Sequence, residues 1–161
     1  MSIKYHDLNV GFTLGGGGGG GGVVLLNDYI VDTTTSSYYS GFPGSQAVSG
    51  IDNSNWWGCG NATAQQWIQV ELSSAKIVSE VRFSTYWTNG SLTWQSAQVI
   101  LQGSNDGSAF DTLGTFSSLP GTGYQLVNGI SSSTAYKYYR CVCSTSNSYW
   151  TGLGKLQLFG V

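Results

Sequence analysis

Between residues 66 and 72 the chain reads Gln-Trp-Ile-Gln-Val-Glu-Leu, and from 152 to 160 it reads Gly-Leu-Gly-Lys-Leu-Gln-Leu-Phe-Gly. Both alternate apolar and polar side chains with a period of two, the mark of a strand buried on one face. Val23–Val31, apolar with β-branched residues, reads as the first strand, and further strands are predicted at Trp67–Leu72, Ile77–Thr85, Ala97–Gln102, Asp111–Phe116, Tyr124–Asn128, Tyr136–Cys143 and Leu153–Phe159. Turn chemistry punctuates them at Ser73-Ser74, Asn89-Gly90, Asn105-Asp106-Gly107, Pro120-Gly121 and Asn128-Gly129. Thr33 to Gly50 reads as a polar loop dotted with aromatics. No stretch keeps apolar residues at 3.6 spacing for twelve positions, so no long helix is expected. Many short strands and frequent turns predict an all-β sandwich or barrel. Its expected interior is Ile68, Val70, Leu72, Val81, Phe83, Val99 and Leu101, with Trp56 and Trp67 in the core or at its rim.

An unbroken run of eight glycines, Gly15 to Gly22, interrupts this pattern near the start. It divides the chain into an arm (1–14), a poly-Gly segment (15–22) and a β-domain (23–161). The run is either a flexible tether with a reach of about 15 Å, or a backbone packed closely at an interface with another chain. On either reading the arm is expected to anchor the domain in a homo-oligomer or larger assembly.

The 161 residues suffice for one two-sheet core. Only 9% are charged and the net charge is -2, which gives no electrostatic case for nucleic acid. No apolar run is long enough for a spanning helix, so no membrane insertion is expected. Met1-Ser2-Ile3-Lys4 is not followed by an apolar signal core, and synthesis in a reducing cytosol without a secretory signal is expected. Cys141 and Cys143 share a strand face but are poorly placed to bridge, and with Cys59 they read as small buried hydrophobes. The sole histidine, His6, lies in the arm, far from any fourth-ligand role, so no metal and no cofactor are expected. It also leaves a Ser-His or Cys-His arrangement without a base. Asp52, Glu71, Glu80, Asp106 and Asp111 include no obvious catalytic pair, and no enzymatic role is expected.

In their order and spacing, Gln66 to Leu72, Gly103-Ser104-Asn105-Asp106-Gly107 and Gly152 to Gly160 resemble the discoidin, or coagulation factor 5/8 type C, family. Ala47-Val48-Ser49-Gly50 followed by Trp56 is similar to the family's Ala-Phe-Asp-Gly…Trp element. Lys137-Tyr138-Tyr139-Arg140-Cys141 is similar to its Arg-Tyr-Ile-Arg-Leu strand, and Phe110 and Leu113 stand where the family has a tryptophan and a leucine. The resemblance spans residues 24 to 161 and implies a galactose-binding-like jelly-roll sandwich that binds rather than transforms. It also implies a structural calcium, held partly by an Asp and a Glu where this chain has Ser49 and Lys155. A cation needing several oxygens is poorly served by a hydroxyl and an ammonium, so calcium is not expected there, although Asp52 is nearby. The termini also lack the disulfide of the secreted blood-factor members.

Aromatic loops are the candidate binding surface, because sugars stack apolar faces on rings and hydrogen-bond to amides. Tyr86, Trp87, Asn89 and Trp94 occupy one loop between two strands, and adjacent Tyr86 and Trp87 cannot both point inward. Trp57, Tyr149 and Trp150 flank the other motifs, and Tyr38, Tyr39 and Phe42 form a further cluster. Each ring has a second reading as a plug of the sandwich end or a contact with a partner subunit. The expected function is a non-catalytic, virion-associated module, made in a host cytoplasm, that presents its loops to host cell-surface glycans. Residues 1–22 would then bind other virion structural proteins. The alternatives are a capsid decoration or fibre component that binds no sugar, and an accessory module of a secreted protein.

Overall fold

The computed structural model describes residues 22–49, 56–59, 65–89, 92–117, 124–128, 130, 132–144 and 150–161. Among them, two five-stranded antiparallel sheets face each other across one apolar core, the jelly-roll sandwich that the resemblance implies. The first sheet holds β1 (Val24–Leu25), β3 (Trp56–Gly58), β5 (Val78–Ser84), β10 (Tyr124–Asn128) and β12 (Gly152–Gly160). Its central strand β12 pairs with β1, β3 and β5. The second sheet has the order β2 (Ile30–Thr35), β4 (Gln66–Lys76), β11 (Tyr136–Ser144), β8 (Gln98–Ser104), β9 (Asp111–Ser117). A separate ribbon pairs β6 (Tyr86–Asn89) with β7 (Leu92–Gln95).

Period-two patterning does what it predicts. Ile68, Val70, Leu72, Val81, Phe83, Val99 and Leu101 are all fully buried. Leu153, Leu156 and Leu158 of β12 complete the core with Cys141 and Cys143. All three cysteines are buried and none is in a disulfide. Trp56 is buried, whereas Trp67 is only half-buried. With Ile68 facing in, its neighbour Trp67 must face out, where its ring stacks 4.5 Å from the Arg140 guanidinium. The Phe110 ring also lies against that cation, at 3.7 Å.

Several elements differ from the sequence expectation, each for an identifiable reason. Val23–Val31 is not one strand, because a 3-10 turn at Asn27–Tyr29 carries the chain from the first sheet to the second. The Asn27 carboxamide holds that turn, donating to the carbonyls of Val48 (2.9 Å) and Leu156 (2.8 Å) and accepting from Leu158 N–H (2.9 Å). A side chain that satisfies the backbone in this way competes with the ladder. The expected loop at 33–50 starts as strand and contains α1 (Gly44–Ser49), a helix too short to leave a 3.6-period signature. Ser73-Ser74 is not a turn but an exposed irregularity inside β4, where the register against β11 shifts between Tyr136 and Tyr138. The expected 86–95 loop holds the β6–β7 ribbon, Tyr86–Asn89 paired antiparallel with Leu92–Gln95, and Gly90 of the Asn89-Gly90 signal lies outside the described residues. β3 was not foreseen, since three residues carry no readable period.

The sandwich has two distinct ends. β12 begins beside β3 at Gly152 and finishes beside β1 at Gly160, a span of roughly 30 Å at ~3.3 Å per residue. The chain therefore enters the domain at Val23-Val24 at one end, while β3 and the β6–β7 ribbon lie at the other. Ile77 and Val161 exchange backbone hydrogen bonds at 2.9 and 3.0 Å at the entry end. No helix among the described residues is long and apolar enough to cross a membrane.

Candidate functional site

Four segments meet at the end away from the chain entry. Tyr39 N–H donates to Gly58 O (2.6 Å), and Gly58 N–H donates to Phe42 O (3.3 Å), which fastens the 37–42 loop to β3. Cys59 N–H donates to Thr151 O (2.9 Å), fixing β3 to the start of β12. Gln95 N–H donates to Trp150 O (2.7 Å), which joins β7 to the same segment. Ser96 Oγ closes the set on Gly152 O at 2.6 Å from a fully buried position.

This backbone lattice assembles an aromatic platform. The Tyr39 and Trp150 rings lie 4.9 Å apart, tilted by 49°, and Phe42 stacks on Tyr39 at 6.3 Å. Tyr38, 61% exposed, and Tyr39, 37% exposed, stand at its surface, while Phe42 and Trp150 are half-buried. Just before Tyr38 in the chain, Ser36 and Ser37 both donate to Gln66 Oε1, at 2.7 and 2.6 Å. A platform of this kind can accept an apolar ring face and offer hydroxyl and amide partners around it.

The residues expected from sequence to bind a ligand are divided by the structure. Trp150 joins the platform. Trp57 does not, because it is fully buried in the core with its indole N–H donating to Ser37 O at 2.8 Å. Its neighbour Trp56 lies against Gly154, on the opposite side of the same short strand. Tyr86, Trp87, Asn89 and Trp94 belong to the ribbon, where Trp87 pairs in register with Trp94, Tyr86 with Gln95 and Asn89 with Leu92. Tyr149 lies outside the described residues. Tyr39 and Phe42 were legible as an aromatic cluster, but nothing local pointed to their meeting with Trp150.

The carboxylates have structural partners. Asp106 Oδ1 accepts from Ser108 N–H (2.8 Å), Ala109 N–H (2.9 Å) and Ser104 Oγ (3.0 Å), closing the Asn-Asp-Gly turn. The Ala109 and Ser108 amides hold its pKa well below the ordinary carboxylate range. Asp111 Oδ2 accepts from Tyr136 O–H at 2.8 Å, and Glu71 pairs with Lys137 at 2.7 Å on the outer face of the second sheet.

Among the described residues, donors suited to calcium do not gather at the Ser49 and Lys155 positions, and Asp52 lies outside the described residues. Ser49 is exposed at the end of α1, and Lys155 takes a left-handed backbone (φ 42°) at a bulge in β12. The flanking carbonyls of Val48 and Leu156 already accept from Asn27. Among the described residues no three His, Cys, Asp or Glu side chains group together as metal ligands would. An ammonium in place of a carboxylate does not fit a hard divalent cation.

Comparison with known proteins places this geometry. The family model of the F5/8 type C domain matches residues 32–154. No curated protein matches the chain. Among solved structures, it is similar to chitosan-binding module 1 of a chitosanase/glucanase from Paenibacillus sp. IK-5, with a TM-score of 0.65 and 22% identity over 80% of this chain and 94% of that one. It is also similar to the CBM32-5 module of CpGH89 from Clostridium perfringens, in complex with GalNAc-β-1,3-galactose (TM-score 0.70, 15% identity, 85% of this chain and all of that one). A third is the CBM32 of AlyQ in complex with 4,5-unsaturated mannuronic acid (TM-score 0.65, 21% identity, 82% and 96% covered). At these identities the likeness establishes the fold.

Proposed function

Because the chain belongs to the F5/8 type C domain family, we propose that it is a non-catalytic glycan-binding module whose ligand sits on the platform of Tyr39 and Trp150. The observation that carries this reading is the meeting of those two rings at the loop-bearing end, with Tyr38 exposed beside them. Similar structures include modules in complex with GalNAc-β-1,3-galactose and with an unsaturated mannuronic acid, so the fold is compatible with a sugar ligand. Trp87 and Trp94 of the adjoining ribbon, with Tyr86, Asn89 and Tyr149, extend the proposed surface. The test is glycan-array binding by the intact chain, repeated with Tyr39→Ala and Trp150→Ala. Binding lost in both, with an unchanged circular dichroism spectrum, supports the reading, and undiminished binding in both overturns it.

The module is further proposed to be held on a larger assembly, a virion, by residues 1–22, and to face a host cell surface. Support comes from the separation of chain entry and aromatic platform, which lie at opposite ends of β12. A domain tethered at Val23 then directs its platform away from the anchor. A purely structural role as a decoration or fibre component is the second reading. It is favoured by the exposed Val23, Val24 and Val161 at the entry end, which a neighbouring subunit would cover. Deleting residues 1–22 separates the two, since a tethered glycan binder keeps its sugar affinity and loses only its place in the assembly.

A further inference from the structure

Among the described residues, charged side chains are distributed along the sandwich and thin out towards the aromatic end, where Lys155, three residues into β12 from Gly152, comes nearest, while Asp52 lies outside the described residues. β4 runs from Gln66 at that end to Lys76 at the entry end, and its charges, Glu71 and Lys76, fall in the far half. β5 carries Glu80 and Arg82 before reaching Phe83 and Ser84. β11 carries Lys137 and Arg140 in its first half, and Arg140 pairs with Gln69 at the middle of β4. Beyond those points the sequence holds no acidic or basic residue from 33 to 51, 53 to 70, 83 to 105 or 141 to 154. Those segments supply the 37–42 loop, β3, the β6–β7 ribbon and Trp150.

We infer that the aromatic platform selects uncharged glycans, rejecting both uronate- or sialate-bearing and amine-bearing sugars. The inference rests on the proposed glycan-binding reading and adds the charge class of the ligand. Seating a carboxylate or ammonium on a largely apolar platform strips water from the ion and returns no counter-charge. A neutral sugar loses only hydroxyl hydration, which serine, threonine, asparagine and glutamine replace. The class is not dictated by the fold, because the similar structures include a chitosan-binding module and one holding a mannuronic acid. Charge also decides the salt response: with no ion pair formed, screening has nothing to weaken.

The test is a glycan array carrying neutral, acidic and amine-bearing glycans, followed by calorimetric titration of the best neutral glycan, oligomannuronate and chitosan oligomers. Neutral glycans are expected to bind at least tenfold more tightly than either charged class. The affinity is expected to change less than twofold between 20 and 500 mM NaCl. Asp52→Asn and Lys155→Gln, which remove the charges nearest in sequence to β3 and to Trp150, are expected to leave the affinity within twofold. Ser40→Lys, an exposed position beside Tyr39, is expected to raise oligomannuronate affinity and so show that charge is the missing component. Preferred binding of a charged glycan that is lost in Trp150→Ala overturns the selectivity while leaving the glycan-binding function in place. A tenfold loss of neutral-glycan affinity in Asp52→Asn or Lys155→Gln, with thermal stability unchanged, likewise overturns the selectivity alone. Absence of binding to every class overturns the function and the selectivity with it.

Discussion

Tyr39 and Trp150 come from opposite ends of the chain, yet their rings lie 4.9 Å apart at the loop-bearing end of the sandwich. Two backbone anchors produce the meeting. Tyr39 is held on β3 through Gly58, and Trp150 is held on β7 through Gln95. Because the backbone fixes both positions, the rings meet without relying on their own attraction, so truncating either should affect a ligand more than the fold. Tyr39→Ala is expected to lower glycan affinity about fivefold, the equivalent of roughly 1 kcal/mol for an aromatic contact beyond its buried area. Its melting temperature should fall by only a few degrees, measured by calorimetry on the same sample.

Trp57 provides the contrast. It is fully buried and its indole N–H is satisfied by Ser37 O. Trp57→Ala should cost about 3–5 kcal/mol of stability through the cavity it leaves, as read from urea unfolding. A stable, sugar-blind Trp57→Ala protein would contradict the core placement.

Asn27 ties three elements with one carboxamide: the 3-10 turn, α1 and β12. Asn27→Ala removes three hydrogen bonds and is expected to cost about 2–4 kcal/mol. Asn27→Asp keeps the size but cannot donate to Val48 O and Leu156 O while ionised, and should be at least as damaging at pH 7. Chemical denaturation of the two variants checks the order.

Gly160 sits where a Cβ would run into the carbonyl oxygen of Ile77, a backbone atom that cannot move aside cheaply. At Gly154 the obstacle is the Trp56 ring. Gly160→Ala is expected to destabilise by more than about 2 kcal/mol and more than Gly154→Ala, because a ring can tilt whereas a paired carbonyl is fixed. Thermal unfolding of the pair tests the ranking.

Burial pushes the Cys141 thiol well up and the Cys143 thiol to about 12, and raises the Tyr139 phenol to about 12. A group whose folded pKa is raised holds its proton longer folded than unfolded. The stability it contributes is present below the unfolded pKa and is lost as pH rises through the folded one. Stability should therefore be flat from pH 6 to 8 and decline from about pH 9 towards 12, with a shallower decline in Cys143→Ala. None of the three cysteines should react with a thiol reagent in the native protein at pH 8, and all three should react in urea.

Calcium should not stabilise this domain. Melting temperatures in 5 mM EDTA and 5 mM calcium chloride are expected to agree within about 1 °C, since a ligand of the native state alone would raise the transition. A calcium-dependent rise that Lys155→Ala alters would show that the Ser49 and Lys155 positions do hold the ion.

How much of this was legible beforehand differs between backbone and rings. Alternation in residues 66–72 and 152–160 is a local property, and it located two central strands and the interior face of each. The Asn-Asp-Gly turn closes on itself through Asp106, so it too was readable in place. β3 and α1 were not, because elements of three and six residues lack a full period. The break at Asn27 was hidden as well, since its three partners come from α1 and the far end of the chain.

The sequence by itself determined the longer strands, the all-β class and the charge-free segments between residues 33 and 154, because periodicity and composition need no partner to be read. It could not sort the tryptophans. Trp57 is core, Trp56 lies over Gly154, Trp67 faces out against Arg140, and Trp150 meets Tyr39. A ring's role depends on which distant backbone passes beneath it, and that was decided when β12 paired with β3 and β7 fastened to Trp150.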